Sequence, residues 1–446
     1  MKLVKSLLLG TAGGLVAVAG AHAADLPSRK AAPAAEYVRV CSAYGAGFFF
    51  IPGTDTCLRV SGQVRAEYLV SNTYGRLSDN YGMRARARVN LDARTQTGWG
   101  TLRTFIRYEA NNANGQYRNR GAFVNAAGGT AVPGVTRIGG DATTSNNLTL
   151  GFIQFAGITA GRYTSFFDFY GTDAYWNFGP ISGTQGDSVN GLAYTATFGG
   201  GFSATLSLES RQDRELGLAA TAVVPGYAGA RHPDVVGVLR VQQGWGTAQL
   251  MGAVRDVNIA AAGGVPLVNA GSKTGYAIGA GVMFNLPMLA PGSQLYLEGV
   301  YAKGALHYLG FSSSARLGYA NIAVSDYAFN GVNATRLGEG YSLMAALRHF
   351  WTPTIKQAIF AGYTNVSYGS FSPIAGALGA GRSFSRFDVG TNLIWSPVAG
   401  LDIGVEVLYR TVDPRGTFTY TTSSGVARVK GTESGWEGRL RIQRDF

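Results

Sequence analysis

Arginines at every second position are the most distinctive chemical feature of this 446-residue sequence. Arg84, Arg86 and Arg88 alternate with small or apolar residues in the segment MRARARVNLDAR, residues 83–94. Successive side chains of a β-strand point to opposite faces, whereas a helix with 3.6 residues per turn would scatter these arginines around its surface. A guanidinium group stays charged at every relevant pH, so a row of them on one face would create a fixed electric field.

Catalytic and metal chemistry are not indicated by the other residues that could carry them. None of the histidines is spaced for metal binding with another histidine or a cysteine; they are His22, His232, His307 and His349. Neither a nucleophile elbow nor a phosphate-binding P-loop occurs. The formal net charge is +12, but the arginines are spread singly and no nucleic-acid-binding motif is present. We therefore predict no enzyme activity, no metal, no cofactor and no nucleic-acid partner.

The same alternation recurs along the chain and predicts sixteen strands. An even number is expected of a single-chain bacterial barrel. The predicted strands are residues 58–70, 83–94, 101–110, 147–156, 157–164, 191–198, 202–209, 234–242, 246–256, 275–285, 293–303, 341–351, 354–366, 384–395, 401–410 and 436–446. Short connections alternate with long ones, and aromatic residues lie near the strand ends, as in outer-membrane barrels.

The size of the sheet decides which of its faces meets water. A closed sheet of sixteen strands is too wide to be filled by side chains and leaves an aqueous channel. Arginine facing lipid at the bilayer midplane costs roughly 2–4 kcal/mol, so the charged face must line that channel and the apolar face must meet lipid. A soluble secreted β enzyme is disfavoured because it would need a packed core where this chain has arginines. The sequence thus predicts an all-β, 16-stranded antiparallel transmembrane β-barrel, surrounded by outer-membrane lipid and lipopolysaccharide.

The chain begins with features of an exported protein. Residues 1–23 combine two lysines, an apolar stretch and a small-x-small cleavage site, which predicts a signal peptide. A membrane anchor is the alternative, but the apolar stretch is short for a spanning helix. Residues 24–57 form a leader that holds both cysteines, Cys41 and Cys57. Export favours a disulfide between them over two reduced thiols. The barrel is predicted to occupy residues 58–446.

Three segments give the mature chain a resemblance to a known family. They are YVRVCSAYGAGFFFIPGTDTCLRVSGQVR at residues 37–65, FIQFAGITAGRYTSFFDFYG at residues 152–171, and the terminal LRIQRDF. The chain resembles the alphaproteobacterial (rhizobial) general porin family across its mature length. Its last residue, Phe446, with apolar residues at alternate positions before it, is similar to the signal that the barrel assembly machinery recognises.

The resemblance implies a homotrimer whose third loop folds into the lumen as a constriction. On this chain that loop would span about residues 165–190, with acidic side chains at Asp168, Asp173 and Asp187. Facing it across the eyelet would be the inward arginines of the early strands, with Arg439 and Arg441 contributing. These arginines are Arg59, Arg65, Arg84, Arg86, Arg88, Arg103 and Arg107. Two alternatives stay open: the loop could lie outside the barrel, and the arginines could form structural ion pairs with acids on neighbouring strands.

The resemblance also implies a function. Acids on one side of a narrow waist and arginines on the other would create a transverse field, and pore radius and lining charge would then set selectivity. The expected function is passive diffusion of small hydrophilic solutes and ions across the outer membrane. The basic bias of the predicted lumen adds the hypothesis of a weak preference for anions. The alternatives are a substrate-specific outer-membrane channel and a non-conducting surface structural protein whose lumen is plugged.

Overall fold

The computed structural model describes most of the chain after the predicted signal peptide. The described residues are 39–72, 79–119, 131–132, 135–136, 142–169, 188–217, 226–260, 271–311, 314–317, 320–329, 334–369, 382–416, 418–421 and 427–446. The predicted signal peptide at residues 1–23 and the first part of the leader lie outside them.

Sixteen antiparallel strands form one closed barrel, which confirms the predicted fold. They are β1 Cys57–Ser71, β2 Tyr81–Thr97, β3 Gly100–Ala113, β4 Thr143–Phe155, β5 Ile158–Thr164, β6 Ser188–Gly199, β7 Phe202–Glu209, β8 Asp234–Gln243, β9 Gly246–Ile259, β10 Gly271–Asn285, β11 Gln294–Lys303, β12 Glu339–Thr352, β13 Ile355–Ser367, β14 Phe384–Val398, β15 Leu401–Asp413 and β16 Glu433–Asp445. Each overlaps one predicted strand, and most extend a few residues further at the end that bears the long loops.

The barrel closes because β1 pairs with both its neighbour in sequence and the last strand. Arg65 lies opposite Arg86 of β2 on one side and opposite Gln443 of β16 on the other. Every other pairing in the barrel joins strands that follow one another among the sixteen. A short strand, Phe49–Phe50, adds to the start of β1. Both ends of the barrel sequence therefore lie at the end with short connections, here called the turn end; the opposite end is the loop end.

Alternate residues of each strand face opposite environments, as the sequence pattern predicts. Val64 and Val89 point outward and are 55% and 46% exposed, while Glu67 on the other face of β1 is buried. Outward residues on the opposite side, such as Leu250 and Leu343, are equally exposed. Apolar side chains thus cover the outside of the barrel, and the arginine-bearing face points into it.

Three connections at the loop end have described residues that pack inside the barrel. Loop L3 comprises residues 165–187, loop L4 residues 210–233, and loop L6 residues 304–338. The strands beside L3 and L4 are short, since β5 has 7 residues and β7 has 8, against 17 in β2. At about 3.3 Å per residue, these strands end well below the rim formed by their longer neighbours. L3 and L4 therefore leave the wall from within the barrel.

The described loops carry only short elements. Helices of the 3-10 type span Ser42–Tyr44, Gly115–Asn119, Arg211–Arg214 and Leu306–Leu309. Two-stranded ribbons pair Ala131–Val132 with Val135–Thr136, Ser314–Leu317 with Ala320–Ala323, Tyr327–Phe329 with Thr335–Leu337, and Phe418–Thr421 with Ala427–Lys430. Among the described residues, no helix has the length and apolar character needed to cross a membrane.

The leader is fastened to the turn end of the barrel. Cys41 and Cys57 form a disulfide and pack with Phe48 in a small buried cluster. The guanidinium of Arg94, on β2, lies 4.9 Å from the centre of the Phe48 ring. Tyr44 of the same leader donates a hydrogen bond of 3.4 Å to Gln96. The disulfide loop therefore packs against the turn-end entrance, beside the first two strands.

The inner face departs from the expected polar lining on one side. From β8 to β11, inward positions near the loop end carry apolar residues, among them Val236, Val238, Met251 and Val300, and all four are buried. They belong to a single apolar cluster with residues of L3, L4 and L6. The difference has a simple cause: these loops cover the wall and keep water from it.

Candidate functional site

Arginines line the inner face of four neighbouring strands, β16 and β1 to β3. This surface is called the arginine wall. Its members are Arg59, Arg65, Arg84, Arg86, Arg88, Arg94, Arg103, Arg107, Arg439 and Arg441. All seven arginines of the predicted eyelet share this face, together with Arg439 and Arg441; Arg94 is an addition. The strand registers bring them together because the inward positions of adjacent antiparallel strands lie directly opposite one another.

Several arginines of the wall form ion pairs with acids of an adjacent strand. Arg88 donates from Nε to Glu109 at 2.6 Å, across the β2–β3 pairing. Arg103 holds Asp92 through two parallel hydrogen bonds of 3.0 Å each, in the fork geometry that suits a carboxylate. Structural ion pairing, the alternative left open by the sequence, therefore accounts for part of the wall.

Glu67 is the most heavily shared acid of the wall. Its side chain is fully buried and accepts hydrogen bonds from Arg84 at 2.6 Å, from Arg441 at 2.7 Å and from Arg439 at 3.3 Å. These three arginines lie on β2 and β16, on either side of β1. Three guanidinium groups thus share the single negative charge of one carboxylate at the seam where the barrel closes.

Two arginines of the wall are oriented by neutral amides. Arg65 donates from Nε to the Gln443 side-chain oxygen at 3.0 Å, and Arg86 donates to the Asn111 side-chain oxygen at 2.6 Å. The nearest carboxylate oxygen to Arg86 is that of Glu109, at 3.6 Å. An amide fixes the direction of a guanidinium group without cancelling its charge. These positions therefore carry a positive charge that the wall itself compensates only in part.

The remaining predicted arginines lie toward the turn end. Arg107 donates to Asn90 at 2.9 Å, and Phe105 lies between Arg107 and Arg103, each guanidinium within 6 Å of its ring centre. Arg59 is exposed and lies opposite Asp92 in the strand register. The wall therefore extends from Arg439 near the loop end to Arg59 near the turn end.

The first residues of L3 run along the inner wall, away from the strand that they leave. Ser165 donates to Glu209 of β7 at 2.7 Å. Gln249 of β9 then donates to the backbone oxygens of Phe166 and Phe167 at 3.1 and 3.3 Å. This root of L3 crosses β7 and reaches β9, so it lies inside the barrel.

Phe169 extends the contacts of the L3 root from β9 to the next strand, β10. Its ring lies against Gly281 of β10, where a β-carbon would come within 2.2 Å of the ring. A residue without a side chain is needed for this close approach. Gly281 thus provides the seat for L3 on the wall opposite β1 to β3.

The structure places Asp168 differently from the predicted eyelet. Its carboxylate is 2% exposed and pairs with the buried Arg214 of L4 at 2.7 Å. It therefore fastens L3 to L4 and does not face the arginine wall across open water. Asp173 and Asp187, the other predicted acids of this loop, lie outside the described residues.

Three partners of these sites were not assigned from the sequence. Glu67 and Glu109 lie on the polar side of the alternating pattern, so their inward direction was readable although their arginine partners were not. Arg214 lies in an irregular loop 46 residues from Asp168, and no local pattern connects the two. Long-range pairing of this kind depends on the fold as a whole.

The last residue of the chain forms part of the barrel seam. The backbone N–H of Phe446 donates to Gly62 at 3.0 Å, and the N–H of Gly62 donates back at 2.8 Å. Phe446 as a whole residue is 64% exposed. Within the described residues, no group of three or more His, Cys, Asp or Glu side chains is placed to hold a metal ion.

Comparisons with known proteins agree with this architecture. A family model described as "Porin subfamily" matches residues 25–438. Porin Omp2b of Brucella canis is 36% identical over 260 residues, and Porin Omp2b of Brucella suis biovar 1 is 35% identical over the same length. Each alignment covers 55% of this chain and 64% of the relative's length.

The fold has a counterpart among solved structures. The outer membrane channel DcaP of Acinetobacter baumannii superimposes with a TM-score of 0.62 at 16% identity, covering 89% of this chain and 99% of that one. At that identity the likeness concerns the fold alone. The family match and the apolar outer surface of the barrel place the protein in the bacterial outer membrane. The chain belongs to the porin family.

Proposed function

We propose that this protein is a porin channel through which small hydrophilic solutes and ions diffuse passively across the outer membrane. The arginine wall supports this most strongly: a row of partly exposed guanidinium groups faces inward, where a packed core would exclude them. Arg84, Arg86 and Arg88 have side chains about one-fifth exposed, although they lie inside the barrel. Fixed charges of one sign in a lumen select ions by charge.

The proposed constriction lies between the arginine wall and L3. The root of L3, from Ser165 to Phe169, is fastened to the wall by Glu209, Gln249 and Gly281. Because Asp168 is neutralised by Arg214, this root adds no free negative charge to the lumen. The arginines then dominate the local field, and we propose an anion preference for this reason. A role for Asp173 and Asp187 as the acidic side of an eyelet remains part of the proposal.

The partners of the protein are proposals as well. The family and its structural neighbours are consistent with an oligomer, and we propose a homotrimer surrounded by outer-membrane lipid and lipopolysaccharide. Phe446, at the seam between β1 and β16, is the proposed signal for the barrel assembly machinery. Phe446 is exposed and is therefore accessible to such a partner.

Conductance of the purified protein in planar bilayers tests the function. Stepwise conductance is expected, and the reversal potential in a salt gradient should indicate anion preference. Arg65→Gln with Arg86→Gln should lower the anion-to-cation ratio roughly sixfold per charge for an ion passing about 8 Å away in unscreened water, because each lost charge stops attracting anions and repelling cations; salt screening reduces this factor. Arg444→Gln is the matched control, because Arg444 is exposed at the turn end and donates to a backbone oxygen, that of Ala399.

Each alternative function gives a different result. A complete lack of stepwise conductance would reject the channel and favour a surface structural protein. Saturable transport of one solute class into vesicles that contain the protein, with exclusion of other solutes of equal size, would favour a substrate-specific channel. A reversal potential showing cation preference in the wild type would reject the anion preference while leaving the channel intact.

A further inference from the structure

L6, at residues 304–338, is the longest connection between barrel strands. Its first described part is buried within the barrel. The chain leaves β11 and turns through the 3-10 helix Leu306–Leu309. Leu306, Tyr308, Leu309 and Phe311 are each at most 1% exposed. An extracellular loop that served only as a surface would leave such residues in water. Their burial shows that this part of L6 packs against the protein.

The surface that buries L6 is the inner wall of the barrel. Inward residues of β8 to β11 and of β13 to β15 join L6 in one apolar cluster. They are Val236, Val238, Met251, Ala253, Ala277, Val300, Ala302, Val366, Phe384 and Val412. If the lumen beside them were filled with water, these side chains would expose apolar surface, which is energetically unfavourable. The described parts of L6, together with those of L3 and L4, therefore exclude water from the loop-end wall on seven of the sixteen strands.

L6 extends from its own strands toward the arginine wall. The Phe311 ring meets the Phe384 ring of β14 edge-on, with 5.5 Å between their centres. The guanidinium of Arg386, also on β14, lies 4.7 Å from the centre of the Phe311 ring. The following strand, Ser314–Leu317, pairs with Ala320–Ala323 and contacts β15 and β16. The described parts of L6 thus extend inside the loop-end half of the barrel from β11 as far as β15 and β16.

A single buried carboxylate holds the returning part of L6 in place. Asp326 is fully buried and accepts hydrogen bonds from Arg255 Nη1 of β9 at 3.1 Å and from the Tyr227 hydroxyl of L4 at 2.6 Å. It also accepts from the backbone N–H of Leu216 at 3.2 Å and of Leu306 at 2.7 Å. Asp326 therefore connects both halves of L6 to L4 and to the barrel wall.

Arg255 extends this connection to a third loop. Its side chain is fully buried and holds Asp234 of β8 at 2.5–3.1 Å. Asp234 also accepts from the Tyr308 hydroxyl at 3.0 Å, and the Tyr308 ring lies 4.5 Å from the ring of Phe167 in L3. Charged groups buried without such partners would be strongly disfavoured. The contacts of Asp326 and Arg255 therefore specify one position for L6.

We propose that L6 is a second constriction element, seated on the inner wall by Asp326, which confines solute passage to the side of the lumen lined by the arginine wall. This inference rests on the proposed channel function. Asp326 is a positioning residue in it: the side chain touches no solute and acts by holding the loop. Solutes that cross the loop-end half of the lumen would consequently pass close to Arg65 and Arg86.

A thiol reporter beside the anchor tests the seating of L6. Ser325→Cys is nearly isosteric at a fully buried position, and the native cysteines are joined in a disulfide. In the refolded full-length porin, a charged methanethiosulfonate reagent should leave this thiol unmodified. Adding Asp326→Asn should speed modification roughly ten- to a hundredfold, the factor that one hydrogen bond to a charged group contributes to an equilibrium. Asp413→Asn, at the loop end of β15, is the matched control and should leave the rate unchanged.

Single-channel recording provides the second readout. Asp326→Asn should raise the mean conductance or add frequent transitions between levels, and it should weaken the anion preference because ions gain a path away from the arginines. Resistance of the folded barrel to heat in detergent shows whether the variant has folded. If Asp326→Asn does not fold, Tyr227→Phe, which removes only the hydroxyl that donates to Asp326, takes the place of Asp326→Asn in both assays.

The outcomes separate this inference from the proposed function. A wild-type protein without stepwise conductance rejects the channel, whatever the thiol does. A wild-type protein that conducts overturns the L6 proposal in either of two cases: if the Ser325→Cys thiol reacts readily by itself, or if neither its reactivity nor the conductance changes in the anchor variants. Slow modification that Asp326→Asn accelerates, together with altered conductance, supports the proposal.

Discussion

Removing the Glu67 carboxylate should destabilise the barrel more than the loss of any single exposed ion pair. Glu67 is fully buried, and three arginines share it. Arg439 and Arg441 are 1% and 5% exposed, so their charges have little water to replace the lost partner, whereas Arg84 is 20% exposed and better screened. Breaking a buried ion pair by deleting one partner costs about 3–5 kcal/mol. We expect Glu67→Ala to lower the free energy of unfolding by about that amount.

Reversible urea unfolding of the barrel in lipid vesicles, followed by tryptophan fluorescence, measures this quantity. Glu67→Gln should cost less than Glu67→Ala, because the amide oxygen still accepts hydrogen bonds from the guanidinium groups. The matched control is Glu339→Ala, since Glu339 pairs with Lys303 at 3.0 Å but is 30% exposed, and such pairs contribute about 0–1 kcal/mol. If Glu67→Ala costs no more than Glu339→Ala, the shared carboxylate does not hold the seam and the reasoning fails.

Three further results are expected. Replacing Cys41 and Cys57 by serine should lower the free energy of unfolding by about 3 kcal/mol, the entropic value for a loop of this size, and an unchanged urea midpoint would contradict this. Gly281→Leu should alter single-channel conductance in a folded barrel by displacing Phe169, and identical conductance would show that L3 is not seated there. Burial, with the nearby arginines of L4 and β9, lowers the pKa of His307 well below its usual value. Below about pH 6.5 the unfolded chain therefore binds a proton at this histidine and the folded protein does not. The free energy of unfolding should consequently fall as the pH drops below about 6.5. Melting in detergent from pH 8 to 5 should show this loss, and His307→Gln should reduce it.

The barrel itself could be predicted from the sequence because its signal is local and repeated. Alternation in a segment such as residues 83–94 fixes both the strand and the direction of its arginines, and sixteen such segments fix the architecture. The inward direction of Arg65 and Arg86 follows from the same pattern. What the pattern lacks is partner identity, because Glu67 meets Arg441 only when the first and last strands pair.

The apolar inner wall from β8 to β11 and the loops that cover it were harder to predict from the sequence. Val236 and Val238 in β8 are flanked by other apolar residues, so alternation fades where both faces of a strand avoid water. The covering residues, such as Leu306 and Phe311, lie in a loop without a regular period. Asp326 appears in the sequence as an ordinary loop acid, and only the fold brings it to Arg255. Where loops fold inward and cover the wall, both faces of a strand can be apolar, and the alternation of polar and apolar residues that identifies the strand is lost.

The pairing of Gly62 with Phe446 has a consequence for how the molecule comes into being. These residues lie at opposite ends of the barrel sequence, so their hydrogen bonds cannot form until both segments have been synthesised and exported. Until then the first and last strands each present an unsatisfied edge, the kind of surface on which chains aggregate. Contacts so distant in sequence also form slowly. A damaged seam would therefore harm the biogenesis of this protein as well as its stability.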